Sequence, residues 1–433
     1  MRTAPAPFIL AFFMDNASPL PSASVFRHRD FSLLWWGRVM GSLALTAESV
    51  TIGWQVYAVA RLSKSVQEGA FLVGMVGLLQ FLPVILLTLP AGEAADRYDR
   101  RKILLVALAV ETVCVAALAW HALDPSPSVT LIFILAPIFG AARTFFQPAG
   151  WALMPMLVPR EELPRAVAWS SLSYTSANII GPSIAGVLCA ISPAVSFGFA
   201  AVLYLGSALL IMMVRTSGRP EHNPGSRLAL IREGLAYVWT NKIVFGSISL
   251  DLFAVLLGGA TALLPVFAKD VLMVGPEGFG VMRAAPAVGA AVVAFWLAKR
   301  PLQRRAGTWM FGGVAVFALA TIGFGLSKSL WLSVFMLALL GAGDMVSVFI
   351  RQTLVQIVTP DAMRGRVAAV SGLFIGASNE LGEFESGLAA RILGPVGAAL
   401  FGGFGALIVT GAWAKMFPAL RKADELHRPE EPA

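Results

Sequence analysis

Residues Arg143–Gly186 read RTFFQPAGWALMPMLVPREELPRAVAWSSLSYTSANIIGPSIAG, and 201 positions further on Asp344–Gly387 read DMVSVFIRQTLVQIVTPDAMRGRVAAVSGLFIGASNELGEFESG. Overlaid, Pro159 falls on Pro360, Arg165 on Arg366, Ser170 on Ser371, Leu172 on Leu373, Asn178 on Asn379, Gly181 on Gly382 and Gly186 on Gly387. A second overlay, at an offset of 203, sets Gly77 on Gly280, Pro83 on Pro286, Arg97 on Arg300 and Arg101 on Arg304. Both repeats lie in apolar segments, so the chain reads as a membrane protein of two similar halves. In folds of that kind the binding site lies where the repeats meet, near the bilayer midplane.

Composition agrees. Of 433 residues, 57% are hydrophobic and 13% charged, whereas a soluble domain carries about 25% charged residues. Lipid must solvate most of this surface. The net charge of +8 is strung along short loops, as membrane orientation requires, with no basic stripe interleaved with aromatics, so nucleic-acid binding is not expected. Cys114 and Cys189 fall inside apolar spans and offer neither a disulfide framework nor metal-ligand spacing.

A spanning helix needs about 20 mostly apolar residues. Spans are expected at 31–59, 70–92, 103–122, 129–150, 166–190 and 194–214, then at 242–268, 278–298, 307–326, 329–352, 366–391 and 395–416. The chain thus divides into a leader (1–25), a first six-helix bundle (26–214), a linker (215–241), a second bundle (242–417) and a tail (418–433). Met1–Met14 holds an apolar run, Phe8–Phe13, at the lower limit for a signal-peptide core and without a convincing cleavage site. It reads as an unstructured cytoplasmic leader, with Met14 as an alternative start. With the N-terminus, the even-to-odd loops and the C-terminus on one side, that side receives 25 Lys and Arg residues and the other receives five, Arg61, Lys64, Lys269, Lys328 and Arg391. The asymmetry puts both termini in the cytoplasm.

Between spans 2 and 3 the chain reads Gly92-Glu-Ala-Ala-Asp96-Arg97-Tyr-Asp99-Arg100-Arg101-Lys102. This G-x-x-x-D-R-x-x-R-R/K pattern, in a twelve-span chain with half repeats, resembles the major facilitator superfamily over essentially all of Phe26–Phe417. Two departures stand out: Asp99 replaces a small residue, and Lys299 of the second-half copy replaces Asp96. The resemblance implies an all-α membrane fold of twelve helices in two pseudo-symmetric bundles. It also implies a cytoplasmic latch in which Gly92, Asp96, Arg97 and Arg101 hold the halves together against Arg364–Val367, with Glu161 or Glu162 as partners for the arginines. The plainer alternative makes Arg97–Lys102 a positive-inside anchor alone. The Arg143–Ala149 segment, the Val158–Leu163 loop, Ser378–Gly387 and the opening Phe26–Phe31 resemble the branch of drug and siderophore exporters that includes the enterobactin exporter. Asn178, Gly181, Pro182 and Gly186 in span 5 look like the Gly-Pro helix-packing motif associated with antiporters.

A charge at bilayer depth costs of order 3 kcal/mol on insertion scales and marks a pair or a function. Arg38, Glu48, Glu111, Arg143, Asp251, Arg283, Asp344, Glu380, Glu383 and Glu385 are such charges. By the family resemblance, spans 1, 4, 7 and 10 line a central cavity and carry Glu48, Arg143, Asp251 and Asp344. Arg143 and Asp344 are repeat-equivalent, so pseudo-symmetry would face opposite charges at one another. Arg143 with Asp344 or Glu48 is either a structural ion pair or a switch whose carboxylate takes up a proton, since burial favours a carboxylate's neutral form. Glu380 and Glu383, three apart, share a helical face while Glu385 points elsewhere. They either form a hydrogen-bonded cluster with Arg283 or Arg351 or act in coupling. Trp54, Tyr57, Phe145, Phe146, Trp169 and Tyr174 are candidates for an apolar substrate wall or for packing.

The function expected is secondary active export of drug-like or siderophore-like organic solutes across the cytoplasmic membrane. It would run by alternating access, be driven by protons and be carried out by a monomer. A proton-linked importer or lysolipid flippase of the same fold is the alternative. No nucleotide-binding G-x-x-x-x-G-K-S/T loop, H-E-x-x-H or G-x-S-x-G elbow occurs, so neither an enzyme nor a metal or cofactor is expected.

Overall fold

The computed structural model describes residues 23–218, 227–300, 302, 304–360 and 363–421. Most of the leader and tail, and linker residues 219–226, lie outside the described residues. Every element within them is helical. The first half comprises α1 (Arg29–Ala60), α2 (Val66–Arg97), α3 (Arg100–His121), α4 (Thr130–Leu153), α5 (Leu163–Ile191) and α6 (Pro193–Met212). A helix within the linker, α7 (Arg227–Thr240), leads into the second half: α8 (Lys242–Leu257), α9 (Gly275–Lys299), α10 (Ala306–Leu326), α11 (Leu330–Val358) and α12 (Arg364–Met416).

Among the described residues, ten helical stretches are long and apolar enough to cross a membrane. The last, Arg366–Met416, has 51 residues, about 77 Å at 1.5 Å per residue, more than twice a hydrocarbon core of about 30 Å. It holds two passes, broken at Gly394, where φ is 75° and Pro395 follows. The left-handed backbone there suits glycine, and a proline next to it cannot continue the hydrogen-bond ladder. Helix α1, 32 residues long, supplies the remaining pass; its Arg29, Asp30, Arg38 and Glu48 make it less apolar than the others. The described residues thus make twelve passes. Span 7 is interrupted: α8 stops before Gly258-Gly259, and short turns carry the chain on to Val271.

The two halves repeat each other's helix crossings. Gly140 of α4 lies against the Gln80 carbonyl, and its repeat partner Gly341 of α11 lies against the Pro286 carbonyl. A Cβ on either would sit 2.1 or 2.0 Å from a backbone oxygen. Without a hydrophobic drive between helices in lipid, small residues that admit backbone close to backbone decide which faces pack. Gly181 of α5 faces the Thr46 side chain of α1, and its repeat partner Gly382 faces the backbone of Val255 and Leu256 in α8.

Two local features depart from the sequence reading. Gly92 to Arg97 are the last turns of α2 and not a loop. The chain breaks only at Tyr98 and Asp99, and Asp99, not Asp96, caps α3 by accepting from the Arg101 N–H at 3.0 Å. A carboxylate at that position satisfies an orphan donor and opposes the helix dipole, which accounts for Asp99 in place of a small residue. Asp99→Ala should cost about 1 kcal/mol and speed hydrogen exchange at the first turn of α3 about fivefold; an unchanged rate would show that the cap holds nothing. In the linker, α7 lays Leu235 and Val238 against Val244, Ile248, Val367 and Val370. Tyr237 donates to the Val358 carbonyl at 3.0 Å.

Candidate functional site: a charged cavity at the seam of the two halves

The halves meet along two crossings related by the repeat. Gly280 of α9 packs on Pro182 and Gly186 of α5, and Gly74 of α2 packs on Glu383 and Gly387 of α12. Pro182 and Glu383 are repeat partners, as are Gly186 and Gly387. A Cβ on Gly280 would lie 2.6 Å from the Pro182 oxygen and 2.9 Å from the Gly186 Cα; one on Gly74 would lie 2.9 Å from both the Glu383 oxygen and the Gly387 Cα. Further towards the α1–α2 loop, Tyr57 donates to Asp270, and Arg61 approaches the same carboxylate at 3.2 Å. Trp54 stacks on Phe279 with ring centroids 6.0 Å apart. All these contacts lie on the side of the α1–α2, α5–α6 and α8–α9 connections, so the seam is closed on that side.

Behind it is a cavity of about 500 Å³. The first half lines it with Thr46, Gln80, Arg143, Tyr174, Asn178 and Pro182, and the second with Arg283, Asp344, Asn379, Glu380 and Glu383. Eight of the residues singled out in the sequence therefore come together here: Arg143, Tyr174, Asn178, Pro182, Arg283, Asp344, Glu380 and Glu383. Glu48 and Asp251 do not line the cavity. Glu48 is 1% exposed within the first half, where Tyr204 of α6 donates to its Oε2 at 2.7 Å. Asp251 forms an ion pair with Arg351 inside the second half.

The expected facing of Arg143 and Asp344 is not what the chain adopts. Arg143 Nη1 lies 3.6 Å from Glu380 Oε1, across the seam, and on its other side feels Glu48 and Glu111. Asp344 instead has Asp251 and Arg351 as its charged neighbours. An acid on span 11 reaches Arg143, while Asp344 has an arginine seven residues along its own helix. Glu380 is also within electrostatic reach of Arg283. Glu385 turns away from the cavity, with Ser386 at 3.5 Å. Arg351 is buried among the helices of the second half, its side chain 4% exposed, and pairs with Asp251 and not with Glu380 or Glu383. Among the described residues, Glu48 Oε1, Glu111 Oε2 and Arg143 Nε have no hydrogen-bond partner. One guanidinium thus serves two buried carboxylates in its own half and a third across the seam.

Arg97 and Arg101 of the motif are tied to their own half. Arg97 pairs with Glu93 at 2.6 Å. Arg101 donates to the Ile211 carbonyl at 3.2 Å and to that of Met212, capping α6. Neither arginine takes the expected glutamates: Glu162 binds Arg27 at 2.7 Å and His28 at 3.1 Å, and Glu161 is exposed. Gly92 is buried in the last turns of α2. Of the aromatics, Tyr174 lines the cavity, whereas Trp169 packs on Phe26 and Trp35. The sequence reading missed Tyr204, Asp270 and the two glycine crossings. Asp270 sits in a turn two residues beyond the expected end of span 7. Only the second overlay, through Gly77 and Gly280, hinted at the crossings.

Comparison with known proteins bears on the family and the fold. The family model for the transmembrane secretion effector matches residues 20–431. The enterobactin exporter EntS of Shigella boydii serotype 18 is 30% identical over 410 residues, covering 93% of this chain and 91% of that protein. EntS of Escherichia coli O81 is 29% identical over the same length. A peptide transporter of the POT family superposes with a TM-score of 0.71 at 12% identity, covering 91% of this chain and 95% of its own; that likeness speaks to the fold alone. The chain is a multi-pass membrane transporter of small solutes, not an enzyme, and it belongs to the transmembrane secretion effector family of the major facilitator superfamily.

Proposed function

We propose that the protein exports a drug-like or siderophore-like organic solute across the cytoplasmic membrane by alternating access, driven by proton entry, with both termini in the cytoplasm. The observation that carries this reading is Arg143, held between Glu380 across the seam and the buried Glu48 and Glu111 of its own half. Parting the halves would take Glu380 away and return Arg143 to its own carboxylates. Proton uptake by those carboxylates and the position of the halves are then linked, because two buried acids cannot both stay ionised beside a guanidinium that has turned elsewhere. The relatives named as enterobactin exporters support export and a siderophore-like cargo. Asp344 and Glu383 on the second half, and Asn178 and Gln80 on the first, offer the cavity's polar contacts to that cargo.

In this arrangement the glycine crossings and the Tyr57–Arg61–Asp270 contacts are the closed external face. The latch of Asp96 and Arg97 belongs to the opposite conformation, in which the cytoplasmic ends come together. The test is efflux from an efflux-deficient bacterium with and without an uncoupler. Glu48→Gln, which keeps the Tyr204 contact but cannot ionise, should bring efflux down to the uncoupled rate while leaving the protein level unchanged. Efflux of the Gln variant at the wild-type, uncoupler-sensitive rate would remove Glu48 from the coupling. Wild-type efflux that ignores the uncoupler would overturn proton drive itself.

A further inference from the structure

A second, larger cavity lies on the outside of the first half and takes no part in the seam. It has a volume of about 900 Å³ and is formed where α2 and α3 diverge from the Tyr98–Asp99 break, with α4 as its floor. Helix α3 packs on α4 and α6 and scarcely touches α2. Its walls are Ile103, Val106, Val110, Ile138 and Phe145, and Val106 is 65% exposed, so the groove opens sideways into the bilayer. From Lys102 to Val110 it descends about 12 Å, close to the roughly 15 Å depth of one leaflet's hydrocarbon.

The mouth has a different character. Arg97, Tyr98, Asp99 and Lys102 line it. Lys102 is exposed and Tyr98 is 64% exposed. Arg97 engages Glu93 through one nitrogen and is otherwise open, with its side chain 66% exposed. Asp99 is the one acid lining the mouth, and its Oδ1 is engaged by the Arg101 N–H. Arg100 donates to the carbonyls of Ala95 at 3.0 Å and Ala152 at 2.9 Å. Like Arg101, it is thus bound to neutral oxygens, which leave its charge in place. The first turn of α3 adds its own positive end.

We infer that this groove binds one anionic phospholipid, with its phosphate at Arg97, Tyr98 and Lys102 and an acyl chain along α3 towards Val110 and Ile138. A basic pocket between membrane helices selects acidic headgroups by charge. A zwitterionic lipid would bring its ammonium group up to Lys102 and gain less. The occupant is a lipid and not free phosphate, because the apolar walls lie directly beneath the cations and at the depth a chain reaches. The mouth lies at the Tyr98–Asp99 break, between Arg97 at the end of α2 and Arg101 in the first turn of α3, so an occupied groove would stiffen it.

The experiment reconstitutes the whole protein in equal amounts of phosphatidylglycerol, phosphatidylethanolamine and phosphatidylcholine, extracts it in mild detergent and counts retained lipid by mass spectrometry. The wild type should retain one phosphatidylglycerol in preference to the other two, and excess inorganic phosphate should not displace it. Lys102→Gln, at an exposed position that leaves folding intact, should lower that retention about fivefold, the effect of one cation at a membrane surface. Lys328→Gln, an exposed lysine on the other side of the molecule, should leave it unchanged. Ala141→Leu, which fills the floor of the groove, should lower retention of all three lipids. Equal retention of the three by the wild type, or a phosphatidylglycerol preference that survives Lys102→Gln, overturns the assignment. Retention indifferent to Ala141→Leu overturns it as well.

Discussion

Arg351→Ala should be the most damaging single substitution in the second half, lowering stability by about 3–5 kcal/mol through an uncompensated buried charge. Arg351 and Asp251 are 4% and 8% exposed in their side chains, and Asp344 shares the same guanidinium as its nearest positive charge. Removing Arg351 therefore strands two acids, whereas Asp251→Asn leaves Arg351 with Asp344 and should cost less. Replacing the pair together, Asp251→Leu with Arg351→Met, should recover most of the loss, since buried ion pairs are commonly matched by well-packed apolar residues. The measurement is the thermal unfolding midpoint in detergent for the three variants. A drop for Arg351→Ala no larger than that for Asp251→Asn would mean that the pair does not anchor α8 to α11.

Gly280→Leu should open the closed side of the seam. The side chain has nowhere to go: its Cβ alone would meet the Pro182 oxygen at 2.6 Å and the Gly186 Cα at 2.9 Å. Both neighbours are backbone, so no rotamer relieves the contact, and the two halves must separate. Overpacking of this kind costs about 1–3 kcal/mol, enough to shift a two-state equilibrium by roughly 5- to 150-fold. A cysteine placed at Ser49 in the cavity wall, with Cys114 and Cys189 replaced, reports the change through a membrane-impermeant maleimide added from the α1–α2 side. Labelling should accelerate by that factor and transport should fall, while the chain still folds because each half keeps its own crossings. Gly312→Leu, at a glycine with nothing within 4 Å of its Cβ direction, should change neither. Slow labelling in Gly280→Leu would mean that the glycine crossing does not hold that face shut.

How the charges are distributed explains why the site was only partly legible beforehand. The sequence marks every intramembrane charge, since few are tolerated in lipid. It also sets Glu380 and Glu383 on one face through their spacing, and both do line the cavity. Partner choice is another matter. Arg143 was matched to Asp344 through the repeat, but symmetry of sequence fixes only equivalent environments. The extra acids on span 11 occupy positions that hold Ile179 and Pro182 in the first half, and that asymmetry gives Arg143 its partner. Likewise Glu162 turns to Arg27 and His28 in the stretch leading into α1, a contact that nothing in the loop's own residues announces.

The number of membrane passes, the division into repeated halves and the identity of the charges that must be sheltered are all legible in the linear order of residues. Each of these follows from local composition and spacing, through the length of helix a bilayer demands and the cost of charge within it. The tertiary structure alone decided which charges meet, which side of the seam is shut, and that a lipid-facing groove opens where α2 and α3 part. Those outcomes depend on how far each helix is rotated and how closely two backbones approach. Glycines such as Gly74 and Gly280 set that approach, and a linear pattern of apolar residues carries no record of helix rotation.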